Sequence, residues 1–282
     1  MNMENNETPI KRTVLDYNDV VALVPKLKGK EKLVNRVFKF LKVDKVNWLH
    51  SHNCDTPGHP FTEGLLKDLD ITLRIDNEQV LDNLPEGAFI TISNHPFGAL
   101  DGISLINIVA KRRPQFKVMV NMVLNYISAM RPNFIAVDAY QSSDPKKKAV
   151  SMNGIKAAIM QVRKGEPIGF FPAGAVSKIT KWKLQDREWQ ENIIRLIMQL
   201  KVPVVPIFFH GRNSAMAHIL GLIDWRLRTM RLPTEVFKKK GKTLHISIGD
   251  PISVEEQLKH MGSVDEFNKF LRNSTYSLKS CK

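Results

Sequence analysis

Three uninterrupted apolar runs most constrain the fold: Ala88 to Ile92 (AFITI), Pro167 to Pro172 (PIGFFP) and Val202 to Phe209 (VPVVPIFF). A strand with one face in water alternates apolar and polar residues, whereas a strand covered on both faces reads as a continuous β-branched and aromatic run. Segments with helical periodicity, Gly102 to Val109, Lys147 to Lys164 and Trp189 to Leu200, fall between these runs. Strand alternating with helix predicts an α/β fold, a central mostly parallel or mixed sheet flanked by helices, with an N-terminal helical extension. Further strands are expected at Asp70 to Ile75, Phe116 to Asn121, Asn133 to Asp138 and Thr243 to Ile248, with a closing helical segment over Val254 to Leu278. At 282 residues the chain can bury a sizeable core, and its 43% hydrophobic and 25% charged content is that of a globular protein. The division expected is an N-terminal helical and loop extension over 1–60 followed by one larger domain over 61–282.

The first run leads into Ser93-Asn94-His95-Pro96-Phe97-Gly98-Ala99-Leu100-Asp101-Gly102, which brings a histidine and an aspartate to one strand-to-helix turn. A neutral imidazole oriented by a carboxylate is the usual side-chain base for taking a hydroxyl proton near neutral pH. In this reading His95 is the base and Asp101 its orienter, with Pro96 and Gly98 folding the turn back on itself. On spacing alone the same residues also suit a strand-end histidine and an aspartate whose charge meets a helix N-terminus.

Three further blocks follow in order. They are Lys117-Val118-Met119 through Pro132-Asn133-Phe134-Ile135-Ala136-Val137-Asp138, then Phe170-Phe171-Pro172-Ala173-Gly174-Ala175-Val176-Ser177-Lys178, then Val202-Pro203-Val204-Val205-Pro206-Ile207. With Asn94 to Asp101 they resemble the four blocks of the glycerolipid and lysophospholipid acyltransferases, most of all a bacterial, haemolysin-like branch with an N-H-P-x-G-x-x-D-G signature. The resemblance spans residues 94 to 207. It implies an O-acyltransferase in which the acceptor hydroxyl, deprotonated by His95, attacks an acyl thioester directly, the donor being acyl carrier protein or acyl-CoA. It also implies a substrate-binding set of Asn94, Gly98, Lys117, Phe171, Pro172, Gly174, Ser177 and Lys178. Oxyanion donors are expected from the turn of the third block or from backbone N–H groups near Gly98. No metal or tightly bound cofactor is implied.

Two departures from the family pattern bear on the acceptor. The third block carries Ala173 where the family has a glutamate, and the second ends in Asp138-Ala139-Tyr140 where an arginine often follows. Both weigh against lysophosphatidic acid and toward a lyso-amino-acid lipid of the ornithine or glycine type, with phosphatidic acid synthesis as the alternative. Arg212, after the fourth block, is an anion-binding candidate because its fork suits a carboxylate bidentately.

The 42 Lys and Arg against 28 Asp and Glu leave a net charge of +14, which favours anionic partners: an anionic membrane surface, an acidic carrier protein or nucleic acid. No nucleic-acid-binding signature accompanies that charge, so no nucleic acid is expected; a basic nucleic-acid-binding protein is the rival of a different class. Glu31 to Lys42 forms a basic amphipathic helix that suits a membrane interface or the protein's own core. Asp224 to Lys242 mixes basic and aromatic residues in a way that fits lipid head groups or nucleic acid. The stretch from Asn47 to Pro60 reads as a loop; His50, His52, Cys54 and His59 within it match no familiar zinc spacing. Two distant cysteines, Cys54 and Cys281, and a polar N-terminus without an apolar signal region point to the cytoplasm. No window is apolar enough to span a bilayer, so contact with the inner face of the membrane is expected to be peripheral.

Overall fold

The structure, a computed structural model, describes residues 10–138, 145–180, 183–223 and 225–280. Ala139, Tyr140, Asp224 and Cys281, as well as the side chain of Trp225, lie outside the described residues. Four helices, α1 (Tyr17–Leu23), α2 (Glu31–Leu41), α3 (Val43–Asn53) and α4 (His59–Asp68), precede β1 (Thr72–Asp76) and α5 (Gln79–Asp82). There follow β2 (Ile90–Ser93), α6 (Ala99–Ala110), β3 (Lys117–Asn121), β4 (Phe134–Val137), α7 (Pro145–Arg163) and β5 (Ile168–Phe170). A hairpin of β6 (Lys178–Thr180) and β7 (Lys183–Gln185) leads to α8 (Glu191–Leu200), β8 (Val204–His210), α9 (Ala215–Ile223) and α10 (Trp225–Phe237). The chain closes with β9 (Thr243–Ile248), α11 (Val254–Leu258) and α12 (Val264–Ser277).

Seven strands form one mixed sheet in the order β1-β9-β8-β2-β5-β3-β4, as the apolar runs predict. The five strands from β8 to β4 are parallel, β9 runs antiparallel to β8, and β1 runs parallel to β9. The three runs of continuous apolar residues become the three central neighbours: Ile90 of β2 sits opposite Ile168 of β5 on one side and Val204 of β8 on the other. Successive residues serve opposite faces. Phe89 joins a core cluster with Leu100, Leu105 and Ile106 of α6, while Ile90 and Ile92 join a second with Ile194 and Ile197 of α8 and Phe267 and Leu271 of α12. Covering both faces keeps every residue of β2 buried.

Two sequence expectations change. The stretch from Asn47 is not a loop until Cys54: α3 continues through Asn53, because Leu49 and His50 are buried on its inner side and the breakers Pro57 and Gly58 come only afterwards. The closing segment is two helices, since Ser263 caps a new start by accepting the Glu266 N–H at 3.1 Å. His50 and His52 have separate partners, and the buried Nε2 of His59 has none among the described residues. His50 Nδ1 lies 3.0 Å from the Arg12 carbonyl, His52 Nδ1 lies 2.8 Å from Asp68, and His59 starts α4. Leu49 and Cys54 belong to the same core cluster as Phe61 and Leu65, so packing is continuous across residue 60.

The amphipathic helix α2 presents two adjacent apolar stripes. Val34, Phe38 and Leu41, spaced i, i+4, i+7, turn inward, with Val34 buried. Leu33, Val37 and Phe40, at the same spacing, face outward, and Phe40 is 75% exposed. Leu23, Val24 and Trp48 add to this exposed apolar surface, which Lys32, Arg36 and Lys39 flank. No described helix is long and apolar enough to cross a membrane.

Candidate active site

In an open α/β sheet, ligands gather beyond the carboxyl ends of parallel strands where the strand order reverses. Here β2 lies between β5 and β8, and the segments leaving these three strands carry His95, Phe171 and Arg212. At the exit of β2 the chain turns at Gly98, whose φ of 86° suits glycine and whose missing side chain leaves room for Val176 and Leu232, only 3.2–3.3 Å from where a Cβ would stand. That turn folds Asp101 back. Its Oδ2 accepts the Phe97 N–H at 2.8 Å and the Gly98 N–H at 2.9 Å, and lies 3.0 Å from His95 Nδ1.

The His95–Asp101 contact is close but out of line, so Nδ1 makes no aligned hydrogen bond, and Asp101 Oδ1 is likewise unpaired. Such bonds commonly tighten only with substrate bound. Asp101 is fully buried, and burial pushes its carboxyl above the usual carboxylate range; the nearby His95 and the N–H groups of Gly98 and Phe97 pull the other way. The imidazole lies against Phe171, 4.2 Å between centroids and tilted by 32°, while Nε2 has no partner among the described residues. The pair therefore has one ring nitrogen at a buried carboxylate and the other available to a hydroxyl.

The backbone of His95 is clamped as well. Its carbonyl accepts the Ser177 N–H at 2.8 Å and its own N–H donates to Asp186 Oδ1 at 3.2 Å. Asp186, 3% exposed, also accepts the Ser177 hydroxyl at 2.5 Å and the Trp189 indole N–H at 3.2 Å. Tyr276 of α12 accepts the Asp186 N–H at 2.9 Å, and burial pushes its phenol up to about 12, which keeps it neutral. Sequence reasoning misses Asp186, which stands alone in a polar stretch and reaches His95 across 91 residues.

The sequence-derived substrate set divides. Phe171 and Ser177 touch His95, with Pro172, Gly174 and Lys178 on the same segment, but Ser177 spends both its N–H and its hydroxyl on internal partners. Asn94 sits next to the base with its carboxamide spent on strand β8, donating to the Phe209 carbonyl at 2.9 Å and accepting the Phe209 N–H at 2.7 Å. Gly98 and Phe97 have given their N–H groups to Asp101, so these two are not left to serve as oxyanion donors. In the third-block turn the amides of Ala175 and Val176 remain without a partner among the described residues.

Lys117 does not belong to the site. It opens β3 opposite Ile168, the first residue of β5, and parallel strands place their first residues at the sheet edge away from the strand exits. Asp138 is at the correct end but follows β4, three strands and about 14 Å across the sheet from β2. The charge argument drawn from Asp138 is therefore corrected too. Ala173 is 4% exposed and packs with Phe170 and Trp189 in the core.

Beyond β8, Gly211 has a φ of 116°, and a Cβ there would meet the Phe97 ring at 2.7 Å, so the exit of β8 presses directly on the catalytic turn. Arg212 follows, exposed and with no partner for its guanidinium among the described residues. His210 is drawn away from the site. Its Nε2 lies 2.8 Å from Ser247 Oγ and its ring stacks on His245, which pairs with Asp76.

Comparison with known proteins finds acyltransferases. The lyso-glycine lipid O-acyltransferase of Bacteroides thetaiotaomicron is 28% identical over 231 residues, 78% of this chain and 80% of that protein. The lyso-glycine lipid O-acyltransferase of Phocaeicola vulgatus is 28% identical over 267 residues, 89% of this chain and 91% of that protein. Among solved structures, the 1-acyl-sn-glycerophosphate (LPA) acyltransferase PlsC from Thermotoga maritima covers 78% of this chain and 81% of its own, at 14% identity and a TM-score of 0.47. A family model described as Acyltransferase matches residues 28–282, which includes the His95–Asp101 turn and every strand of the sheet: the chain belongs to this acyltransferase family.

Proposed function

We propose that this acyltransferase moves a fatty acyl group from an acyl thioester to the free hydroxyl of a lyso-amino-acid lipid of the glycine type. The observation that carries the chemistry is the buried Asp101 carboxylate 3.0 Å from Nδ1 of a histidine whose Nε2 is unpartnered. The glycine head group is supported by the two relatives named for it, which this chain matches over most of its length. Arg212 is a fitting partner for the acceptor's carboxylate.

The acceptor hydroxyl gives its proton to His95 Nε2 as its oxygen attacks the thioester carbonyl. The tetrahedral oxyanion collapses, the C–S bond breaks, and the thiolate leaves with a proton available from the imidazolium. Asp101 holds the ring and offsets the positive charge that forms on it. The amides of Ala175 and Val176 are the candidates to meet the oxyanion, and the chain's net charge of +14 suits an acidic acyl carrier protein or the phosphates of acyl-CoA as donor.

The test is a comparison of acceptors with one thioester donor: lyso-glycine lipid is expected to be acylated with the higher kcat/KM, and a clear preference for lysophosphatidic acid returns the protein to phosphatidic acid synthesis.

The enzyme would reach such acceptors by lying on an anionic membrane through the outer stripe of α2. Phe40→Ser removes the most exposed apolar side chain of that stripe and no core contact. Burial of a phenylalanine is worth about 1.5–3 kcal/mol, so binding to phosphatidylglycerol vesicles is expected to fall about tenfold or more in sedimentation, with the melting temperature unchanged. Wild-type binding should weaken as salt rises; equal binding by the variant would remove α2 from the membrane contact.

A further inference from the structure

Between the exit of β8 and the C-terminal end of α10 lies an open cavity of about 610 Å³, whose charged lining is Arg212, Glu235, Lys238 and Lys239. Glu235, 1% exposed, is satisfied by Ser214, whose N–H and hydroxyl it accepts at 2.7 and 2.8 Å, and by Lys238 Nζ at 2.8 Å. That accounts for one cation and the one carboxylate. Lys239 is partly buried, yet its Nζ meets only the Arg212 carbonyl at 2.8 Å and the face of Phe97, 4.8 Å from the ring centroid. Neither Lys239 nor the Arg212 side chain has a carboxylate partner among the described residues. Burial pushes the Lys239 ammonium below its usual value, with the charges of Glu235 and Asp101 pulling the other way.

This cavity adjoins the reacting pair. Phe97 is two residues past His95 and donates its N–H to Asp101, Gly211 lets the β8 exit press on its ring, and Asn213 Nδ2 lies 3.3 Å from its carbonyl. An anion held here would neutralise Lys239 and Arg212 against the same Phe97 whose N–H is donated to Asp101.

We propose that Lys239, with Arg212 at the rim, binds the free carboxylate of the acyl acceptor. The inference rests on the glycine-lipid reading above. In a lyso-glycine lipid only a short amide spacer, about six bonds, separates the acceptor hydroxyl from the carboxylate, a span of about 7 Å. Lys238 and Glu235 neutralise each other, so Lys239 and Arg212 are the two cations left for an incoming carboxylate.

The experiment compares wild type with Lys239→Met, which keeps the apolar stem over Phe97, and Lys239→Arg, which keeps the charge. The acceptors are lyso-glycine lipid and its methyl ester, in mixed micelles with one acyl thioester. Lys239→Met is expected to raise the KM for lyso-glycine lipid about tenfold to a hundredfold, the range of a charged hydrogen bond, with a much smaller change in kcat and none in the donor's KM. Wild type should show the same rise on the methyl ester, the variant should add nothing further there, and Lys239→Arg should recover most of the loss.

An equal loss on both acceptors, or a rise in the donor's KM instead, overturns the carboxylate assignment. So does a variant that matches wild type on the free acid while wild type acylates it well, and that result leaves the glycine-lipid reading standing. A wild type that acylates lysophosphatidic acid but not lyso-glycine lipid overturns the reading itself. Thermal melts of both variants separate a folding defect from lost binding, and Lys239→Arg carries the test if Lys239→Met is unstable.

Discussion

Replacing His95 with alanine is expected to lower acyl transfer by about 10²–10⁴-fold, the usual cost of removing a general base, while the fold survives. The fold should survive because the position is held through its backbone: the Ser177 N–H on its carbonyl and the Asp186 carboxylate on its N–H do not need the imidazole. Nor does Asp101 lose its other partners, since the N–H groups of Phe97 and Gly98 remain. The ring is 18% exposed and lies against Phe171, so its removal opens space toward the site rather than within the core. Thiol release from an acyl thioester with saturating lyso-lipid reads the loss, and circular dichroism reads the fold. Activity within a few-fold of wild type in a folded variant would end the assignment of His95 as the base.

What could be read from the sequence was what depends on neighbours along the chain. Continuous apolar runs predicted β2, β5 and β8, because a strand covered on both faces has no polar side to display. The His95-to-Asp101 turn was legible because its glycine, proline and aspartate are all local to it. The partners of that turn were not. Asp186 meets His95 across 91 residues and Asn213 meets Phe97 across 116, distances over which no periodicity carries information. Lys117 shows the opposite error: a residue inside a family block was carried to the site, although the direction of a parallel strand puts its first residue at the far edge. The loop expected from Asn47 failed for a compositional reason. Histidine, asparagine and serine are poor helix formers, but burial of Leu49 and His50 outweighs their propensity.

Asp186 and Asp101 hold the base from two directions with different consequences. Asp186 spends its oxygens on neutral donors, the Ser177 hydroxyl, the Trp189 indole and the His95 amide, so it fixes position. Asp101 faces the ring nitrogen itself. A carboxylate whose burial disfavours its charge gains most at the moment His95 becomes an imidazolium, and an interaction stronger in the transition state than before it accelerates the step.

Asp101→Asn should therefore lower kcat steeply, by about 10⁴-fold on the precedent of hydrolase triads, through the wrong imidazole tautomer and an uncompensated imidazolium. The same substitution should leave stability equal or improved at neutral pH. Burial raises the Asp101 carboxyl above its ordinary value of 3.8, so the folded chain holds that proton more tightly than the unfolded chain. The group thus favours folding fully below 3.8, and this contribution is lost as pH rises through the higher folded value. Above that window the ionised, buried carboxylate opposes folding. Asparagine keeps a carbonyl oxygen for the N–H groups of Phe97 and Gly98 and carries no charge, so the variant's advantage should grow as pH rises across the window and then level off. Urea unfolding of both proteins from about pH 4 to about pH 9, from the carboxylate range upward, checks the sign. A variant markedly less stable than wild type above pH 7 would mean that the charge of Asp101 stabilises the fold, and its discomfort in the resting enzyme could no longer be counted among the sources of catalysis.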